Sequence, residues 1–493
     1  MENTKKQPKR LVAPCVRDCP AGIDVPRYIG FVEQEMFAEA AAVVRERMPL
    51  AAVCGHVCYR PCEPGCRRGS MDSPVAINAI KRAATDRDDT SVWRRDWASS
   101  VASPTGKTVA VVGSGPAGLT ATYYLSKRLG HSVTLFEEQP ELGGQLRIGI
   151  PEYRLPRTVL EDEIGVITET RVDVKTNHRI GSLDDLNDFD AVFLSMGTSR
   201  PQRLGIEGQD LPAVQECVNF LREANLGQRK PLGKRVIIIG GGNVAIDGAR
   251  TARRLGASEV TIVYRRTRAE MPAYDFEVHA AEEEGVQLEF LASPVRITQM
   301  DQALTLRLQR MELGEPDESG RRSTTAIQGD EFDMPVDNIL VAIGQTVDDY
   351  SAWGVSLNAN GTIASDNETM GTNSDKVFTG GDVVTGAVNV IEAIAAGRRG
   401  ASAIDQYLGG TGDIEEVFAS TGSEMRYPEH LHPAGVGIFP MAELEAPERV
   451  NSWDEVELGF DKETAKQEAQ RCIRCDLWRI EGIPAVWPKG RKI

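Results

Sequence analysis

Hydrophobic residues are spaced in two different ways along this chain. Segment 24–48 carries Ile29, Val32, Phe37, Ala40, Ala41 and Val44 at helical intervals, and 74–84 predicts another short helix. The polar stretch 86–106, ending Ser-Pro-Thr-Gly, predicts a linker. From Lys107 the pattern changes: a β-branched strand to Val112 opens into a glycine turn, a helix ending near Gly130 and a second strand, Ser132 to Phe136. The same strand–turn–helix–strand unit recurs from Arg235 to Tyr264, so the chain contains two dinucleotide-binding folds. A third glycine-rich turn, Thr379 to Asp382, precedes a helix from about Asn389 to Leu408. Segment 413–460, rich in Pro and Glu with weak periodicity, reads as an extended arm.

The two glycine turns differ in their chemistry. In the first, Gly113 permits the tight turn, Gly115 lets the backbone approach a pyrophosphate and Gly118 lets helix and strand pack closely. The helix then offers free N–H groups and a positive dipole end to the phosphates. Glu137 ends the next strand 24 residues past Gly113, where a carboxylate can accept hydrogen bonds from ribose hydroxyls. In the second turn, Gly240, Gly242 and Ala245 hold the three positions, and the following strand ends in Arg265 and Arg266 instead of an acid. Fixed positive charge there suits a 2′-phosphate and favours NADP(H) over NAD(H), although a solvated charge run is the plainer reading. FAD, whose long ribityl chain needs a second contact, fits the first unit, with Asp382 of the Gly381-Asp382 pair as that contact.

Composition narrows the setting. A chain of 493 residues suggests about three domains. The net charge of −16 opposes nucleic-acid binding, since the short basic runs carry no interleaved aromatics. No apolar run approaches the roughly 18 residues of a membrane span, and Met1–Leu11 lacks the apolar core of a secretory signal. A cytoplasmic, reducing location is therefore expected, where the nine cysteines are for metal or redox chemistry and not for structural disulfides.

Eight of the nine lie within the first 66 residues or at 472 and 475. Cys15-x-x-x-Cys19-Pro matches the closing half of a ferredoxin-type cluster run. Cys54, Cys58, Cys62 and Cys66 recur every four residues, but Gly55, Pro61, Pro64 and Gly65 argue for a loop wrapped on a cofactor over a helix. Structural zinc favours CxxC or Cys/His spacings, a form that only Cys472-x-x-Cys475 takes. A neighbouring flavin gives iron–sulfur the clearer purpose. The segment Gly143–Pro156 carries no cysteine and Cys217 has no sequence neighbour, so disulfide-reductase chemistry is not expected. Cys217 reads as a buried structural thiol.

The run Gly113 through Glu137, Gly143-Gly-Gln-Leu146 and Gly149-Ile-Pro-Glu-Tyr-Arg154 resembles the glutamate synthase small-subunit family. So do Gly240–Asp247, Tyr264-Arg-Arg266, Met271-Pro-Ala273 and Val377–Asp382. The family includes the N-terminal half of dihydropyrimidine dehydrogenase and the large subunit of NADH-dependent NADP:ferredoxin oxidoreductases. The resemblance implies an α/β protein of two nested Rossmann-like domains plus an N-terminal α-helical iron–sulfur domain. The expected boundaries are 1–100 for the iron–sulfur domain, 104–231 with 340–412 for FAD, 232–339 for NAD(P)H, and 413–493 for the arm.

It further implies that FAD meets Gly113, Gly115, Pro116, Ala117, Gly118, Glu137, Glu138, Gly144, Gln145, Leu146, Arg154, Gly197, Gly381, Asp382, Asn389 and Val390. NADP(H) would meet Gly240, Gly242, Asn243, Val244, Asp247, Arg265, Arg266 and Gly344. Two 4Fe–4S clusters are implied. Family members carry a CxxC pair shortly before the C-x-x-x-C-Pro element; it is absent here, and Arg471-Cys-Ile-Arg-Cys475 stands at the far end instead. One cluster is then expected on Cys15, Cys66, Cys472 and Cys475, and the other on Cys19, Cys58 and Cys62 with Cys54 or another fourth ligand. Relatives use a Gln or Glu from the following helix, where this chain has Lys81, a poor ligand when protonated.

Hydride passes directly between nicotinamide C4 and flavin N5, so no acid/base pair is sought. The chain begins Met1-Glu2 without a cysteine nucleophile and carries no pyrimidine-binding barrel. The expected function is an electron-transfer subunit working with a redox partner subunit or ferredoxin-like protein. A self-contained flavin oxidoreductase acting on a small molecule is the alternative.

Overall fold

In the computed structural model, residues 12–94, 101–301, 303–316, 320–419 and 435–477 are described. The β-branched runs form two five-stranded parallel sheets. The first has the spatial order Val377–Thr379, Ala191–Leu194, Thr108–Val112, Ser132–Phe136, Val172–Lys175. The second runs Val214–Glu216, Asn338–Val341, Arg235–Ile239, Glu259–Tyr264, Gln287–Phe290. The near-continuous apolar strands reflect burial on both faces, as parallel sheets require. Helix Val390–Tyr407 crosses helix Pro116–Tyr123 so closely that a Cβ at Gly397 would lie 2.3 Å from the Ala117 carbonyl oxygen. Only glycine fits that crossing.

The second unit begins earlier than the expected residue 232. Val214–Glu216 already pairs with Ile339–Val341 in the second sheet, and helix Cys217–Asn225 packs on helix Asn243–Arg254. The chain passes between the two units through paired segments Arg200–Pro201 and Gln345–Thr346. A three-stranded antiparallel sheet (Ala292–Met300, Ala303–Pro316, Arg322–Val336) also belongs to this unit, with no counterpart in the sequence reading.

At the N-terminal end, 24–48 folds as two helices, Val25–Glu33 and Phe37–Arg45, and Ile77–Thr85 forms the third expected helix. The expected loop around Cys54 is corrected: Ala51–Val57 is a helix carrying Cys54, and only from Cys58 does the chain turn irregularly. That helix starts without a side-chain cap of its own. Glu163 of helix Arg157–Thr168 accepts instead from the N–H groups of Ala52 and Val53 at 2.9 and 3.1 Å, an anion at the positive end of the helix dipole. The expected linker is anchored as well: Trp93 is buried, its indole N–H bonded to Asp88, under the guanidinium of Arg45.

The arm is not a plain extended strand. Residues 414–419 enter the core, and Lys127 and Glu416 form a fully buried pair. Further on it forms a small strand pair, Ala442–Glu443 with Glu457–Gly459, and helix Lys462–Gln470 packs on helices Val25–Glu33 and Ile77–Thr85. The last described residues of the chain thus lie within the N-terminal helical domain. Among the described residues, no helix is long and apolar enough to cross a membrane.

Candidate functional site

A cavity of about 660 Å³ opens where the two parallel-sheet units meet the helical domain. Every residue expected at the FAD site lines it except Gly118. Gly118 has a packing role: a Cβ there would lie 1.9 Å from the Gly113 carbonyl oxygen. Gly113 itself turns at φ 96°, with a Cβ position only 2.6 Å from the Ser195 carbonyl oxygen. Glu137 is buried, and its carboxylate accepts from the Ser114 N–H and hydroxyl at 3.0 and 2.6 Å and from the Gln139 N–H at 2.9 Å. It therefore braces the glycine turn besides facing the cavity.

Two polar groups in the wall suit a hydroxyl-rich ligand. Asp382 receives only a 3.4 Å hydrogen bond from the Val388 N–H, and burial pushes its carboxyl up to about 6. The Thr198 hydroxyl is buried and has no hydrogen-bond partner in the protein. Buried polar atoms of this kind normally find a partner, so the cradle fits a bound flavin nucleotide. Thr198, Tyr350 and Trp353 line the cavity without having been singled out from sequence, since they lie on connecting segments that carry no motif.

From the second unit, Asn243, Val244 and Asp247 reach the same cavity at the start of helix Asn243–Arg254, which Gly242 caps. Gly240 (φ 142°) and Gly344 (φ 121°) shape the turns behind them. Arg154 and Asp247, both expected to meet cofactors, are paired with each other: Arg154 Nη1 donates to both Asp247 oxygens at 2.8 Å, and Nη2 meets Glu277 at 2.5 Å. Arg250 continues the chain to Glu277 and Glu284, so a buried ion network joins the two units beside the cavity. Burial raises the Asp247 carboxyl above its ordinary range while Arg154 opposes the rise. Arg265 is exposed past the end of its strand, whereas Arg266 is buried, with Nε donating to the Arg322 carbonyl at 2.5 Å.

The cysteines form two groups. Cys15, Cys66, Cys472 and Cys475 line one small cavity, closed by Ile29, Val75 and Ile77. The tail is held there by Arg471, which is fully buried and donates to Glu468 at 2.6 Å, to the Ser73 carbonyl at 2.7 Å and to Asp72 at 3.1 Å. Glu468, also fully buried, accepts from the N–H groups of Ala76 and Phe439 at 2.7 and 3.0 Å. These anchors were not singled out from sequence, although both stand in the Glu468-Ala-Gln-Arg-Cys472 segment. Cys19, Cys54, Cys58 and Cys62 form the second, more deeply buried group, turned towards Lys81. Among the described residues, no three His, Cys, Asp or Glu side chains converge as on a single metal ion.

The second group adjoins the large cavity: Val57 lines the cavity wall and Cys58 follows it. Tyr59 stacks on Tyr274, centroids 5.8 Å apart, and Tyr274 lines the same cavity, with its N–H donating to Asn243 Oδ1.

Comparison with known proteins agrees with this arrangement. The pyridine nucleotide-disulphide oxidoreductase family matches residues 107–400, and the family described as dihydropyrimidine dehydrogenase domain II, 4Fe–4S cluster, matches residues 7–93. The chain is 41% identical to the NADP(+)-dependent formate dehydrogenase subunit beta of Moorella thermoacetica, over 94% of this chain and 71% of that one. It is 34% identical to the glutamate synthase [NADPH] small chain of Escherichia coli, over 80% of this chain and 88% of the relative. Among solved structures, Mycobacterium tuberculosis FprA in complex with NADPH shares the fold, with a TM-score of 0.52, 22% identity and coverage of 62% of this chain and 85% of that one.

The fold and site are those of a pyridine nucleotide-dependent flavin oxidoreductase. More particularly, the chain belongs to the glutamate synthase small-subunit-like family of FAD-, NAD(P)H- and 4Fe–4S-dependent electron-transfer subunits. All nine cysteines are free in the structure, and Cys217 is buried against Gly248.

Proposed function

We propose that this chain carries electrons between NADP(H) and a partner polypeptide through one FAD and two 4Fe–4S clusters, within the cytoplasm. The observation that carries the reading is a single cavity whose wall combines the Gly113 turn, Asn243 of the second unit and Val57, next to Cys58. Three redox centres around one cavity need no large movement to exchange electrons.

In this reading the FAD pyrophosphate lies on the Gly113–Gly115 turn and the helix start at Pro116, where free N–H groups and the dipole favour phosphate. Glu137 accepts from the ribose and Asp382 from the ribityl chain. The NADP(H) pyrophosphate meets the start of helix Asn243–Arg254, and Arg265, exposed beyond its strand, reads the 2′-phosphate. When bound, the flavin exchanges a hydride with nicotinamide and single electrons with the clusters. The protein's part is to hold the two rings together, and the Arg154–Asp247 pair fixes the orientation of the two units.

Cys19, Cys54, Cys58 and Cys62 hold the inner cluster beside the cavity, and Cys15, Cys66, Cys472 and Cys475 hold the outer one. Held so, the inner cluster would lie between the FAD site and the outer one and would relay single electrons in either direction. The relatives named as beta subunits support a partner subunit.

Anaerobic titration with NADPH tests this. Flavin bleaching should be followed by cluster reduction in the same protein, seen by electron paramagnetic resonance, with about eight irons per chain. Replacing Arg265 with alanine should raise the apparent constant for NADPH far more than for NADH. Flavin bleaching in a protein that contains zinc and no iron would end the proposal.

A further inference from the structure

Helix Ile77–Thr85 lies against the cysteine-bearing helix Ala51–Val57 with almost no space between them. A Cβ at Gly55 would sit 3.0 Å from Thr85 Oγ1 and 3.2 Å from Arg82 Cα, and Asn78 Nδ2 donates to the Gly55 carbonyl at 2.8 Å. Lys81 and Arg82 lie three and four residues after Asn78, and Thr85 lies four and three after them, so the four share a helix face. Lys81 is buried, only 5% exposed. Burial opposes the charge on its ammonium, and the nearby thiols of Cys58, Cys54, Cys62 and Cys19 favour it.

The charged neighbours on this face are held by other partners. Arg82 pairs with Glu455 and Asp86, and Glu163 pairs with Arg45 at 3.1 Å while capping Ala52 and Val53. Glu63 accepts from the Asn78 N–H at 2.9 Å and faces Arg60 as well as Lys81. A lysine so placed has a large desolvation cost unless opposite charge lies close to it. Four thiolates on iron would supply that charge.

We propose that Lys81 is the built-in counter-charge of the inner cluster and raises its reduction potential, making that cluster a ready electron acceptor beside the flavin cavity. The inference rests on the assignment of Cys19, Cys54, Cys58 and Cys62 as ligands. On reduction the cluster gains one electron and one negative charge; no bond forms or breaks, and the lysine keeps its proton. A fixed positive charge in a poorly solvated site favours the more negative form. At the outer group the neighbouring cations are differently placed. Of the cations facing Cys472 and Cys475, Arg474 is bound to Asp476 at 2.9 Å, and Arg67 belongs to a half-buried rim.

The test is an anaerobic potentiometric titration of the full-length holoprotein, with dithionite as electron source and paramagnetic resonance as readout, on wild type, Lys81→Met and Lys81→Arg. In Lys81→Met, with iron content unchanged, one of two one-electron transitions should move to lower potential. The expected size is a change of about tenfold or more in its reduction equilibrium, about 59 mV for one electron. The other transition should stay in place, and Lys81→Arg should restore the first. If Lys81→Met loses one cluster but Lys81→Arg keeps it at the wild-type potential, the charge is still what the site requires. Loss of the cluster in both variants would assign the role to side-chain shape and overturn the proposal. Two clusters with unmoved potentials in Lys81→Met would overturn it alone, whereas a wild-type protein with iron for one cluster would overturn the ligand assignment with it.

Discussion

The inner cysteines, Cys19, Cys54, Cys58 and Cys62, come from one short stretch of chain and are at most 9% exposed. The outer four are drawn from both ends of the chain, and all are half-buried. The inner group is assembled by local helix packing around Ala51–Val57 and Ile77–Thr85. The outer group depends on a strap that also ties Glu455 to Arg82 and His56, and Arg449 to Glu283 of the second unit. Closing a loop of several hundred residues costs little more entropy than closing a short one, because the cost grows only logarithmically. What a distant segment lacks is local chain connectivity to hold it in place, and buried ion pairs supply the anchoring instead. On the proposed ligand sets, the same cofactor would be bound by sequence neighbours at one site and by residues from opposite ends of the chain at the other, and the second would depend on long-range contacts.

The largest expected effect separates the two groups outright. Deleting residues from Asp461 onward should remove about four irons and leave FAD and the inner cluster in place, whereas Cys54→Ser should remove about four irons from the inner site and leave the tail docked. Iron analysis with flavin absorbance reads both, and a truncated protein that keeps all its iron would end the two-ended assignment.

A smaller effect is expected from the strap itself. Arg471→Met leaves Glu468 buried without its guanidinium, a change that typically costs about 3–5 kcal/mol. The variant should lose outer-cluster iron faster and become sensitive to protease within 461–477, with no change in the inner cluster's spectrum. Equal loss from both sites would show that the two groups do not assemble independently.

The smallest effect concerns pH. The hydrogen bond from Arg68 holds the Asp72 carboxyl below the usual carboxylate range. A depressed folded-state value means the stabilisation is present above the unfolded value of about 3.9 and is lost as pH falls below it. For a pair at this partly screened site, about 1 kcal/mol or less is expected. Retention of the outer cluster should therefore weaken below about pH 4 in wild type and respond less to pH in Asp72→Asn; identical acid profiles would remove Asp72 from the strap.

Much of this arrangement can be read along the chain. Local periodicity identified the two strand–turn–helix–strand units, because one strand, one turn and one helix are specified by consecutive residues. The same locality makes Gly113, Gly118, Glu137 and Asp382 legible, since each answers a steric or polar need of its own turn. The departures arise where distant residues meet. Cys54 was expected on a loop because of the glycines and prolines around it, but Gly55 is what lets the helix pack against Arg82 and Thr85. Arg265 and Arg266 are adjacent and alike in sequence, yet only the fold turns one to solvent and the other onto the Arg322 carbonyl.

By itself, then, the sequence determined the two dinucleotide folds, the family and the cysteines available to bind iron, because these depend on short-range geometry and on residue type. The tertiary structure alone decided that Arg471 reaches Asp72 and Ser73, that Arg154 and Asp247 pair across the two units, and that Glu163 caps the helix carrying Cys54. Each of these is a contact between segments whose separation along the chain carries no distance information, settled by which buried charges find partners when the helices pack.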